Sequence, residues 1–171
     1  MKILLEKGIG ADVVEIRRND GTVLSTSVPH KGPVPHDAVH FFVESELAMR
    51  AGFWGLVAGG RHPDAIGELA KQAGHASATR ARSPDTVIVP AIQAERIVEC
   101  FEADLWGGGC DPQTFNEMLE AGCAQSLVEP IDLATEVIAS VRNELQHFKS
   151  TWEQMAIGAQ CALEWPDDWK A

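Results

Sequence analysis

The architecture can be read outward from residues 12–27, DVVEIRRNDGTVLSTS. Its flanks, Asp12–Arg18 and Thr22–Ser27, are short and rich in Ile, Val and Leu, whose side chains suit a pleated surface. Between them stands Asn19-Asp20-Gly21, three residues that tolerate the left-handed backbone a tight hairpin requires. Alternation puts Val14 and Ile16 on one face of the second segment and Glu15 and Arg17 on the other. One face of the resulting sheet therefore needs a cover.

Upstream, Lys2–Glu6 supplies a third apolar segment, so a small antiparallel meander opens the chain. At the far end, GAQCALEWP (158–166) alternates Cys161, Leu163 and Trp165 with Gln160, Ala162 and Glu164. That period of two predicts a terminal strand returning to an edge of the meander. The long stretch between is helical in pattern. Helices are predicted at His36 to about Ala51, Asp64–Ala73, Ala91–Leu105, Asp111–Ala121 and Asp132–Met155. Proline-rich VPHKGPVP (28–35) leads into the first, and Gly107-Gly108-Gly109 ends the third. Small, polar His75–Asp85 reads as a mobile loop. The expectation is a single α+β domain, 1–171, with a small antiparallel sheet of about four strands covered on one face by about five helices. Strands and helices do not alternate, which excludes a doubly wound sheet.

A formal net charge of −11 opposes binding to a phosphate backbone or an anionic membrane surface. MKILLEKG is too short for a secretory leader, and no segment has the apolar length of a membrane span. The four cysteines, Cys100, Cys110, Cys123 and Cys161, have neither zinc-ribbon nor disulfide-framework spacing. Reduced thiols in a cytoplasmic protein are expected, at least three of them as small core residues.

Chemistry concentrates in VPHDAVHFFVE (34–44). His36 and His40 lie one helical turn apart, so both imidazoles can turn toward one divalent cation such as zinc. The H-D-A-V-H run resembles, over five residues, the H-E-x-x-H of zinc hydrolases. Asp37 occupies the place of their glutamate base, one methylene shorter, which puts its reach to a metal-bound water in question. Glu44 lies about 12 Å along the axis from His36 at 1.5 Å per residue. It is better suited to a supporting hydrogen bond or ion pair than to the ion itself. The third ligand is expected from His30 on the proline-rich loop, with His62 or His75 as alternatives. The simpler account has His36 helping the free backbone groups of a helix start and His40 half-buried with a single hydrogen bond.

Other features carry less. Cys110 stands between glycines and a helix start, where a thiol can be acidified, but Asp111 beside it opposes that, and an unreactive free cysteine is expected. Gly107–Gly109 lacks a following Gly-Lys-Ser/Thr, and Gly8-Ile9-Gly10 lacks the third glycine of a dinucleotide fingerprint. From Ala134 to Met155, Ala134, Ile138, Val141, Leu145, Phe148, Trp152 and Met155 form a narrow apolar seam. Either it is buried against the chain's own helices and sheet, or it joins two copies as a homodimer.

The Pro-His-Asp-x-x-His-x-x-Val-Glu stretch (Pro35–Glu44), the Gly-Phe-Trp-Gly turn (Gly52–Gly55) and the closing Leu-x-Trp-Pro (Leu163–Pro166) together resemble a group of uncharacterised bacterial proteins of similar size. The likeness covers the first third and the tail and implies no activity. Two functions follow from the residues. One is an accessory, non-enzymatic cytosolic protein with a helix-mediated interface. The other is a small metal-dependent hydrolase with His36, His40 and His30 as ligands and Asp37 as base.

Overall fold

The computed structural model describes residues 1–29, 32–73 and 84–166. Four strands, β1 (Lys2–Glu6), β2 (Ala11–Arg17), β3 (Val23–Pro29) and β4 (Gln160–Glu164), form one antiparallel sheet in the order β3-β2-β1-β4. The meander is as the sequence predicts, and β4 joins its β1 edge, with Ile3 opposite both Ile16 and Leu163. The hairpin between β2 and β3 closes over Gly21, whose φ of 87° explains the glycine. Ile3, Leu5, Val14 and Ile16 are buried on the inner face. They belong to one hydrophobic core with residues of the six helices found among the described residues.

Those helices are α1 (His36–Glu46), α2 (Phe53–Ala58), α3 (Pro63–Ala73), α4 (Val89–Gly107), α5 (Pro112–Gln125) and α6 (Thr135–Gln154). The sequence reading predicts five, because α2 holds two aromatics and a glycine in six residues and looks like a turn. Helix α1 also ends five residues short of Ala51. Ala48 adopts φ 53°, and the Met49 N–H reaches back to the Glu44 carbonyl at 2.9 Å. This is a Schellman ending with alanine where glycine is usual. Helix α5 passes through Gly122 and stops in the same way at Leu127, φ 57°.

Helix α1 is central and packs against α2, α4 and α6. The seam of α6 (Ile138, Val141, Leu145, Phe148, Trp152) is buried within the chain's own core. Lys7 closes the far end of α6, its Nζ donating to the carbonyls of Trp152, Glu153 and Met155 at 2.7, 3.2 and 3.0 Å. Cys100 and Cys123 are buried, whereas Cys110 and Cys161 are half-buried, one fewer in the core than the sequence implies. Among the described residues no helix is long and apolar enough to cross a membrane.

Candidate metal centre

Pro35 starts α1 through its backbone, its carbonyl accepting from Ala38 and Val39, and among the described residues no side chain caps the helix. His36 is therefore free of the capping role that the simpler account gives it, and its ring turns toward α4. Helical spacing brings the rings of His36 and His40 to 4.6 Å between centroids, nearly perpendicular, with their Nε2 atoms 3.1 Å apart. Glu95 of α4 closes the group. Its Oε2 lies 3.1 Å from His40 Nε2 and its Oε1 3.6 Å from His36 Nε2. These three side chains could hold one metal ion.

Each imidazole is oriented from behind. His36 Nδ1 is 2.8 Å from Glu102 Oε1, one carboxylate further along α4, and His40 Nδ1 is 2.8 Å from Glu44 Oε1. A carboxylate at Nδ1 holds the proton there and turns the Nε2 lone pair forward, the usual support for a metal-binding histidine. Glu44 is itself fixed. Fully buried, its carboxylate accepts from the backbone N–H groups of Phe53, Trp54 and Gly55 at 2.8, 2.8 and 3.4 Å, so it caps α2 from α1. The Gly-Phe-Trp-Gly turn is built for this contact. A Cβ on Gly52 would lie 2.5 Å from Glu44 Cδ, and one on Gly55 would lie 2.3 Å from the Arg50 carbonyl oxygen. Trp54 adds a hydrogen bond from Nε1 to the Asp37 carbonyl at 2.8 Å, tying α2 to the first turn of α1.

Electrostatics follow the geometry. Burial disfavours the charged form of both histidines, but hydrogen bonds to carboxylates outweigh it. His36 is raised to about 9 by Glu102 and Glu95, and His40 to about 10 by Glu44 and Glu95. Glu95 is held far below the usual carboxylate range, its burial overcome by the same two histidines. Both imidazoles thus hold a proton more readily than a free histidine, the 3.1 Å contact between their Nε2 atoms takes one proton between the rings, and the field that attracts it would attract a cation.

Asp37 is half-buried beside the cluster, and burial pushes its carboxyl upward against the pull of His40 and His36. Its side chain makes no hydrogen bond or ion pair among the described residues. His62 lies elsewhere, at the start of α3, accepting from the Asp64 N–H at 3.3 Å. His30 and His75 fall outside the described residues, as does most of the His75–Asp85 loop. The third position beside the histidines is filled by Glu95, which the sequence reading does not single out. Its signal is faint: Glu95 and Glu102 are seven residues apart and border the buried stripe of Ala94, Val98 and Phe101. Cys110 is a structural thiol, raised by burial and by its 3.3 Å hydrogen bond to Asp104.

Comparison with protein-family models, with curated proteins and with solved structures returns no match. The centre has to be understood from its own atoms.

Proposed function

We propose that the protein is a cytosolic metal-dependent hydrolase that binds one divalent transition-metal ion at His36, His40 and Glu95. The observation that carries this reading is the convergence of two Nε2 atoms and a carboxylate, each imidazole backed at 2.8 Å by a further carboxylate. Two nitrogens and one oxygen suit zinc, iron, manganese or cobalt, and three protein ligands leave room for water or substrate. The ion supplies Lewis acidity toward a bound water or a carbonyl oxygen. Asp37, whose carboxylate makes no side-chain hydrogen bond among the described residues, is the base that accepts the proton. Its upward shift favours that role. A cytosolic setting is supported by four unpaired cysteines, and a nucleic-acid partner is opposed by the net charge of −11.

An accessory role through α6 has less support, because the residues that would make its interface, or a homodimer, are buried inside the chain. The test is metal analysis of protein prepared without a histidine tag. One equivalent of a divalent ion is expected, lost in His36→Ala/His40→Ala and in Glu95→Ala. Turnover of an activated ester or amide should disappear in Asp37→Asn with metal content unchanged. A metal-free protein that takes up no ion and is indifferent to chelators would end the proposal.

A further inference from the structure

Glu44 serves two elements with one carboxylate. Its Oε1 lies 2.8 Å from His40 Nδ1 and accepts from the Phe53 N–H at 2.8 Å, so a single oxygen is shared between the centre and the start of α2. Its Oε2 takes the N–H groups of Trp54 and Gly55 at 2.8 and 3.4 Å. The rings of His40 and Phe53 also meet, 5.7 Å apart between centroids. A second tie joins the same two helices, from Trp54 Nε1 to the Asp37 carbonyl in the first turn of α1.

Helix α2 depends on these contacts. It has six residues, too few to be helical alone, and its N-cap is Gly52, which has no side chain to offer. Glu44 supplies the cap from a neighbouring helix. The dependence is mutual. Were α2 to lift away, a fully buried carboxylate would lose three backbone donors, and a buried charge without partners is strongly unfavourable. Glu44 would turn to other donors, and His40 would lose the bond that orients its ring.

An ion that needs His40 held in place therefore binds the docked arrangement of α2 better than the lifted one. The ratio of the two affinities is the factor by which the ion suppresses lifting. By reciprocity it is also the factor that governs how far loosening α2 weakens the ion.

We propose that α2 is the regulatory element of this centre: an ion at His36, His40 and Glu95 locks α2 against α1, and loosening α2 releases the ion. This rests on the metal-centre reading above. Glu44 is the positioning residue through which the two are coupled.

Amide hydrogen exchange on the full chain, with and without zinc, reads the coupling. Zinc should raise the protection of the Phe53, Trp54 and Gly55 amides at least about fivefold. The Gln113 and Thr114 amides, which donate to Asp111 at the start of α5 at 3.1 Å each, are the controls and should change far less. In the reverse direction, Trp54→Phe deletes the bond to the Asp37 carbonyl and removes no ligand. It should speed exchange at Phe53 and Gly55 and lower zinc affinity at least about fivefold. Far-ultraviolet circular dichroism checks that this variant folds; if it does not, exchange in the unaltered chain decides alone. Zinc that binds but leaves the α2 amides unchanged, or protects the control amides equally, would overturn the coupling while leaving the metal centre standing. Faster exchange at α2 in Trp54→Phe with zinc affinity unchanged would do the same. A chain that takes up no zinc would remove both readings.

Discussion

Glu44 and Gly52 are packed so closely that one more carbon cannot fit between them: a Cβ at position 52 would stand 2.5 Å from the Glu44 carboxyl carbon. Through that contact the start of α2 holds the carboxylate that holds His40. Gly52→Ala must push Glu44 aside, and the expected cost is about 1–3 kcal/mol of stability, as for other overpacked interiors. Metal affinity should fall in the same variant, because His40 loses its fixed orientation. Urea melts and a competition titration with a chromophoric chelator measure the two effects together.

The histidines give the pH dependence its sign. In the metal-free fold His36 and His40 are raised to about 9 and about 10, above the 6.5 of an unfolded histidine. Their contribution to stability is complete below 6.5 and is lost as pH rises through 9 to 10. Metal binding runs the other way, since a proton held at the Nε2 atoms must leave. Apparent affinity should rise with pH by up to about tenfold per unit for each proton released. Calorimetric titrations in two buffers of different ionisation heat count the protons. Melting curves should show the metal-free chain losing stability in mild alkali while the loaded chain keeps it.

Helix α1 ends on a strained residue. Ala48 is exposed and sits at φ 53°, where an L side chain crowds its own carbonyl. Ala48→Gly should therefore stabilise the protein by about 1 kcal/mol, as no packing is lost. The check is a shift of the urea midpoint at unchanged slope.

Away from the centre, Arg142 grips Asp104 through two hydrogen bonds of 2.8 and 2.6 Å and donates to the Cys110 carbonyl at 2.7 Å. Burial would raise the Asp104 carboxyl, but Arg142 holds it below its ordinary 3.8. The pair stabilises the fold above that value and is lost as pH falls through the lowered one. Asp104→Ala should cost about 3 kcal/mol near neutrality, since it leaves a half-buried guanidinium without its partner. It should cost less in acid. Denaturation at neutral and at acidic pH compares the two.

The sheet was legible in the sequence because strand periodicity and turn chemistry are local. Asn19-Asp20-Gly21 and the alternation of Cys161, Leu163 and Trp165 need no knowledge of distant neighbours. The pairing of His36 with His40 was legible for the same reason, being one turn of one helix. Glu95 was not, because only the crossing of α4 over α1 brings it to the histidines, and nothing in its own surroundings distinguishes it from a solvated acid. The Glu44 cap on α2 shows the converse. Gly52-Phe53-Trp54-Gly55 was visible as a break in the chain, but its purpose depends on a carboxylate arriving from another helix.

The position of β1 has a consequence for assembly. It lies between β2, its neighbour across a short turn, and β4, which starts at residue 160. The first strand acquires its second partner only after residues 160–164 have been synthesised. Loop-closure entropy over such a span makes that docking a late event on the route to the native state. An earlier species would keep one flank of β1 unprotected and prone to self-association, a hazard that ends when residues 160–164 zip into place.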